Sequence, residues 1–489
     1  MPELHPVAAP SRPLRWLALA LPLALAACQS LPPRQTEAPA PTHWRAPAPM
    51  QLPHGGSTPQ LLSWWQDWND PVLLQLVQSA QQASPTLAQA AARIAQARAT
   101  AVGARASQLP ALDGQAGVQR GTFSSGMPTA DMPIATSSQA GLQARWEIDL
   151  FGGLRHASSA AQARVAGAEA QWHEARVSLA ADVANQYFAL RSCQGQLDTA
   201  RRDATSRRDT ERLTGDLARA GFSAPATHAL TQAGAAQAAT RVTEVQAQCT
   251  VVRKALVALT ALDEDTLQQQ LDAPRRGRAP WLQLDSVPAR VLEQRPDVYA
   301  AAQAVAAASD DVGQAEAQRY PRLGLSGNIM RNQISLGGMD ADATTWSIGP
   351  LSLSVPLFDG GRRRAQADAA RVAYEAAASQ YRATVRNAVR EVETALVEID
   401  SARQRSAGTE AALEGYRKAF RAADARYRAG MGSMLELEDA RRNMLAAEQA
   451  RITLRQQTDS AWVALYRALG GGWQAPAPVA SASSKGSTS

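Results

Sequence analysis

The chain of 489 residues contains three cysteines and six histidines. So few cysteines exclude a scaffold stapled by many disulfides. The histidines, never paired at i,i+3 or i,i+4, leave little material for a zinc site. Aromatic residues make up only 5% against 45% hydrophobic, and much of that hydrophobic share is alanine, which marks helix more than thick globular core. The formal charge of +6 is small for this length, with bases and acids interleaved, so nucleic acid is a poor partner. No apolar run reaches eighteen residues, which excludes a polytopic helical membrane protein. A glycine-rich phosphate loop, G-x-S-x-G and paired-histidine motifs are all missing. The expectation is a protein that is not an enzyme and carries no cofactor.

What is present begins with an address. Arg12 and Arg15 precede an apolar run from Trp16 to Ala27, too short to cross a bilayer but suited to a signal peptide over residues 1–27. It ends in Leu25-Ala26-Ala27-Cys28, which resembles a bacterial lipobox and makes Cys28 the expected lipid anchor. Gln29, rather than aspartate, in the next position permits delivery to the outer membrane. Residues 28–60 are rich in proline and alanine and read as a lipidated N-terminal tether, while 473–489 read as a disordered tail.

Between these ends the chain repeats itself. Pro85 to Pro110 and Pro296 to Pro321 both span 25 positions. Leu150-Phe151-Gly152-Gly153-Leu154-Arg155 answers Leu357-Phe358-Asp359-Gly360-Gly361-Arg362, and Arg219-Ala220-Gly221 answers Arg428-Ala429-Gly430. The offsets of 211, 207 and 209 imply two tandem units, residues 61–270 and 271–472. Each unit reads as helix, strand, strand, very long helix, helix. Alternation over Leu142–Leu150 predicts one strand, with a partner from Leu112 to Phe123. In the second unit Leu323–Met330 pairs with Trp346–Leu357, whose apolar parity switches at Gly349-Pro350 and suggests a bulge. The hairpin loops come out at about 18 and 14 residues.

From Ala157 to Ala220 no proline interrupts 64 residues, roughly 96 Å of helix. The fold expected is mainly α with a small β portion, tall and columnar. Four alternating strands cannot close a barrel, and a sheet edge in lipid leaves backbone groups unpaired. Three copies would supply twelve strands, the smallest multiple of four with a lumen to spare. A soluble four-stranded sheet beside the helices is the alternative.

Several strings now point to a family. Trp64-Trp65-Gln66-Asp67-Trp68-Asn69-Asp70-Pro71, Arg295-Pro296-Asp297-Val298, Tyr320-Pro321, Pro356-Leu357-Phe358-Asp359-Gly360-Gly361-Arg362 and Tyr427-Arg428-Ala429-Gly430 resemble TolC/OprM-type outer-membrane factors, in particular their NodT-like lipoprotein branch. The resemblance implies a homotrimer, with a 12-stranded barrel in outer-membrane lipid and a long periplasmic α-helical barrel. It implies a periplasmic adaptor (membrane fusion) protein and an inner-membrane pump of RND type as partners, and passive exit of drugs or other small molecules. The opposing reading is a lipid-anchored periplasmic coiled-coil spacer without a pore.

The same resemblance locates the working residues. Arg219, Gly221, Phe222 and Ser223 at one turn, and Arg428, Gly430, Met431 and Ser433 at the other, would meet the adaptor. Tyr427, Glu436 and Asp439 would form the periplasmic gate, the two acids three apart on one helix face. An ordinary solvated face is the bland reading. Gly432 stands where some relatives carry a basic residue. The cysteines need no family. Cys193 and Cys249 each lie 28 residues, four heptads, from Gly221. Cys193 shares a 3/4-spaced seam with Leu179, Val183 and Leu190, and Cys249 shares one with Val242, Val245 and Leu256. An antiparallel hairpin would bring the sulfurs level, and an oxidising compartment would join them. Two buried free thiols are the alternative.

Overall fold

The computed structural model describes residues 64–122, 134–272, 294–336 and 338–473, together with Arg45 and Leu292. Cys28, the signal peptide and the tail beyond Trp473 lie outside the described residues. Three helices lead: α1 (Trp64–Asp67), α2 (Pro71–Ala83) and α3 (Pro85–Ala106). Strands β1 (Ala111–Thr122) and β2 (Ile134–Ile148) follow, then α4 (Gly153–Arg219), α5 (Pro225–Thr260) and α6 (Glu264–Asp272). The second half holds α7 (Pro296–Ala317), β3 (Arg322–Leu336), β4 (Met339–Ser354), α8 (Arg362–Arg428) and α9 (Met434–Ala468). Both long helices, α4 and α8, have 67 residues, about 100 Å at 1.5 Å per residue.

Two compact units emerge, and each draws on both repeats. One takes Met1–Thr36, Ala97–Val165 and Ala304–Ala378; the other takes Glu37–Gln96, Ala166–Gln303 and Ser379–Ser489. The repeat boundary is therefore not a boundary between compact bodies, because α4 and α8 each contribute to both.

The first unit contains a four-stranded antiparallel sheet in the order β1-β2-β3-β4. Strand β1 has the expected length, and β2, β3 and β4 are longer than the alternation predicts. Leu336 pairs with Met339, so the second hairpin has two residues between its strands rather than about fourteen. The sequence reading stopped where apolar alternation stopped, but the ladder continues through polar residues. The kink is where expected: Leu325 pairs with Leu351 and Gly327 with Ile348, so Gly349 and Pro350 together oppose Ser326. Gly141 permits a close approach, since a Cβ there would stand 2.8 Å from the Met330 Cα.

Register gives the sheet two unlike faces. Leu112, Ala144 and Leu142 share one face with Leu325, Ile329, Trp346, Ile348 and Leu351. Most of these apolar side chains are exposed, Trp346 at 73% and Ile348 at 84%, while Ala144 and Leu325 are half-buried. The opposite face carries Asp113, Gln115, Gln143, Arg145, Asn328 and Ser347, with Arg145 donating to Asp113 at 2.8 Å. From Leu323 to Ile329 the apolar band covers about 20 Å of strand. Beyond it the pattern inverts: Arg331, Gln333 and Asp342 occupy the formerly apolar face, and Ile334, Leu336 and Ala341 the other.

In the second unit the tryptophan-rich string builds the core. Trp64 lies 6.1 Å from Trp462 and 5.8 Å from Tyr466 between ring centroids, and Trp68 packs 4.6 Å from Phe188. Asp70 caps α2 by accepting from the Leu73 N–H at 3.3 Å, with Pro71 at the first helical position. Its other oxygen accepts from the Tyr187 hydroxyl at 2.7 Å. Burial, reinforced by this carboxylate against the opposing pull of Arg191, pushes that phenol up to about 12. The Arg-Pro-Asp string has an equally local purpose. Arg295, 5% exposed, grips Asp297 through two nitrogens at 2.9 and 2.7 Å, reaches Glu391 at 2.8 Å and donates to the Ala468 carbonyl at 2.8 Å. It thereby satisfies an orphan carbonyl in the last turn of α9.

Candidate functional site

The sequence places its candidate residues at the ends of two helical hairpins, α4–α5 and α8–α9, in the second unit. Both reversals have one backbone form. Gly221 sits at φ 78° and Gly430 at φ 74°. Phe222 N–H donates to Leu217 O at 2.8 Å and Gly221 N–H to Ala218 O at 3.1 Å; Met431 N–H donates to Arg426 O at 2.9 Å and Gly430 N–H to Tyr427 O at 3.0 Å. Each is a Schellman turn with glycine in the left-handed position. The apolar side chains after the glycines do not fold back. Phe222 is 83% exposed and Met431 71%, and Leu435 beyond them is also open.

The fastenings differ. Ser433 accepts from the Glu436 N–H at 3.1 Å while the Glu436 carboxylate accepts from the Ser433 N–H at 3.4 Å, a capping box. At the first tip the matching position is Ala224, with no side-chain cap, followed by Pro225; Ser223 does not cap. Glu436 is thus engaged locally and also stands 3.6 Å from Arg426. Asp439 pairs with Arg442 one turn along. Glu436 and Asp439 share a helix face as expected, yet each has an arginine of its own chain. Gly432 sits in a tight place: a Cβ there would meet the Tyr427 backbone nitrogen at 3.1 Å, so the backbone would have to give by a few tenths of an ångström.

Further along the hairpins lie charges that sequence reasoning missed. Glu438 of α9 binds Arg207 of α4 at 2.7 Å and Arg441 of its own helix. Arg441, 1% exposed, also donates to the hydroxyls of Ser206 and Thr210 at 3.1 and 3.0 Å. Burial lowers the Arg441 pKa, and Glu438 works against that. Burial and the same Glu438 raise Tyr427. A second rung is Glu448, which accepts from Arg417 of α8 at 2.6 Å and from Arg202 of α4 at 3.3 Å. Burial opposes its charge, but the two guanidinium groups prevail and hold the carboxyl below its ordinary range. No periodicity separates these residues from solvated ones. The Ser433-to-Glu436 spacing, by contrast, was a readable capping signal.

Cys193 and Cys249 are bonded, with sulfurs 2.02 Å and Cα atoms 5.5 Å apart. The bond ties α4 to α5 midway along the first hairpin.

Paired helical hairpins joined to a two-faced, four-stranded sheet define the class of TolC-like channels. The chain belongs to the outer membrane efflux protein family, whose model matches residues 76–263 and 287–471, one segment in each half. It is an outer-membrane protein. Outer membrane protein OprJ of Pseudomonas aeruginosa is 30% identical over 465 residues, 93% of this chain and 95% of that one. Nodulation protein T of Rhizobium leguminosarum bv. viciae is 28% identical and covers 94% of each chain. Among solved structures, the outer-membrane channel OprN superposes with a TM-score of 0.77 at 28% identity, covering 91% of this chain and 98% of that one.

Proposed function

We propose that three copies of this chain form a pore that gives passive exit to small molecules, drugs or other toxic compounds. A periplasmic adaptor and an inner-membrane pump of RND type would deliver them. The observation that carries the reading is the sheet: apolar on one face, polar on the other, with β1 and β4 as open edges. An apolar face suits lipid, a polar face suits a water-filled lumen, and the edges must pair with other copies if the sheet is to sit in a membrane. Four strands from each of three chains close twelve. Acyl chains on Cys28 would add an anchor. The exposed Phe222 and Met431, with Arg219, Ser223, Arg428 and Ser433, form the adaptor-contact tips, and Tyr427, Glu436 and Asp439 the gate. No catalysis is required of any residue.

Purified protein in planar lipid bilayers tests the reading. Discrete single-channel steps are expected. Protein that inserts yet never conducts would replace the pore with a lipid-anchored spacer.

A further inference from the structure

In the sheet-bearing unit, helices that match by duplication have unequal surroundings. α3 and α7 are counterparts of 22 residues each, as α4 and α8 are of 67. Yet five of the ten residues from Ala308 to Ala317, at the end of α7, are buried, and none of the ten from Ala97 to Ala106, at the end of α3. The difference lies in what covers α7, which touches both long helices. Asp310 accepts from the Ser159 hydroxyl of α4 at 2.8 Å and lies 3.0 Å from the His156 ring nitrogen, while Glu316 binds Arg371 of α8. Just beyond α7, Tyr320 stacks on Phe151 with ring centroids 4.8 Å apart.

The matching positions of the other repeat stand bare. Leu109 corresponds to Tyr320 and is 63% exposed; Phe358 corresponds to Phe151 and is 93% exposed. Ala99 takes the place of Asp310 and Ala365 that of His156, and both are exposed. Along one face of α8, Ala365, Ala369 and Val372 lie open at the 4/3 spacing of a helix seam. Their counterpart in α4, Ala160 at the place of Ala369, is fully buried. The chain cannot close this gap on itself. β1 leads from α3 and β4 leads into α8, and they are the outer strands of the sheet, about 14 Å apart. Each copy therefore carries one half of the contact at either edge, and a second copy supplies the missing half.

We propose that the β4–α8 junction of one copy docks on the α3–β1 junction of the next. Phe358 packs on Leu109, and the Ala365–Val372 face of α8 covers Ala99 and Val102. The contact that joins the two repeats within a chain is thereby repeated between chains, with its chemistry changed. Inside the chain Asp310 and its partners hold the seam; between copies alanine stands at both positions and the seam is apolar. Asp368 at its margin is ion-paired with Arg371 of its own helix at 2.9 Å. The inference rests on the assembly of three copies proposed above, but not on conduction.

The test is thiol cross-linking of the full-length protein in detergent micelles, with its assembled size measured in parallel. In Leu109→Cys/Phe358→Cys a short bismaleimide should link copies into covalent trimers. Wild type and either single variant should give none. Phe358→Ala should shorten the lifetime of the trimer on dilution roughly tenfold or more, as burying one phenylalanine at each seam implies. Phe358→Leu should restore most of that loss. Sodium chloride at about 1 M, which screens exposed charges, should leave the wild-type lifetime unchanged. Trimers that fail to cross-link would overturn the proposal and leave the pore standing. So would a Phe358→Ala trimer as long-lived as wild type, the result if lipid covers the ring, or a trimer that salt dissociates. Subunits that never associate would overturn the pore reading as well.

Discussion

The two helical hairpins have the same turn and different fastenings. Their reversals make the same backbone hydrogen bonds, with a glycine in the left-handed region at each. Away from the turn they part. The first hairpin is tied covalently through Cys193 and Cys249 and has an uncapped second helix; the second has no cysteine, a capping box at its turn and buried ionic rungs on α9. Duplication supplied one backbone solution, and each copy then acquired its own means of holding two long helices together. A covalent tie is indifferent to pH and salt. Ion pairs are not: Arg417–Glu448 joins α8 to α9, Arg202–Glu448 and Arg207–Glu438 join α9 to α4, and His228–Glu211 lies within the first hairpin.

The largest expected break of this contrast comes from removing the disulfide. Replacing Cys193 and Cys249 by serine together releases a 56-residue separation and should cost about 4 kcal/mol in the chain-entropy account. Hydrogen exchange should show protection falling across α4–α5 and unchanged across α8–α9; equal losses in both would erase the distinction. Next is Glu448→Gln, which replaces the buried carboxylate held by the more exposed Arg202 and Arg417 with a neutral amide and should cost about 2 kcal/mol, the worth of a hydrogen bond to a charged group. Its pH dependence has a definite sign. The folded carboxyl titrates below its ordinary 4.5, so its contribution is complete above that value and is lost as pH falls through the folded pKa. Thermal midpoints of wild type and variant should therefore converge on acidification, while the disulfide difference persists.

Smaller substitutions sharpen the comparison. Gly221→Ala and Gly430→Ala should each cost about 1.5 kcal/mol, since alanine pays for the left-handed conformation at either turn. Matching losses in denaturant midpoint would establish that the turns are equivalent. The finest change is the cap. Ser433→Ala should lose about 1 kcal/mol, and Ala224→Asp, at a position already in the extended region, should gain about 0.5 kcal/mol at the first tip. A null result for both would mean that the helix starts contribute nothing at the turns.

How much of this was legible beforehand depends on the range of the cause. The long helices, their glycine turns and the strand pair were readable because period and punctuation are local. The bulge opposite Ser326 was readable for the same reason: a switch of parity at Gly349-Pro350 has few other meanings. The outer halves of β3 and β4 were not, because once apolar alternation ends only the partner strand shows that pairing continues. Glu436 could have been recognised as half of a capping box from its spacing to Ser433, before any place in a gate was considered.

By itself, the order of residues determined the duplication, the helix and strand types, the level placement of two cysteines and the family. All of these follow from repeats and periodicities that a linear chain displays without folding. Only the tertiary structure decided that Arg295 secures the end of α9 and that Arg441 and Glu448 are buried, each with partners of its own, rather than solvated charges. Those outcomes depend on which distant side chains meet, and burial, which sets what a charge costs or contributes, is a property of that meeting.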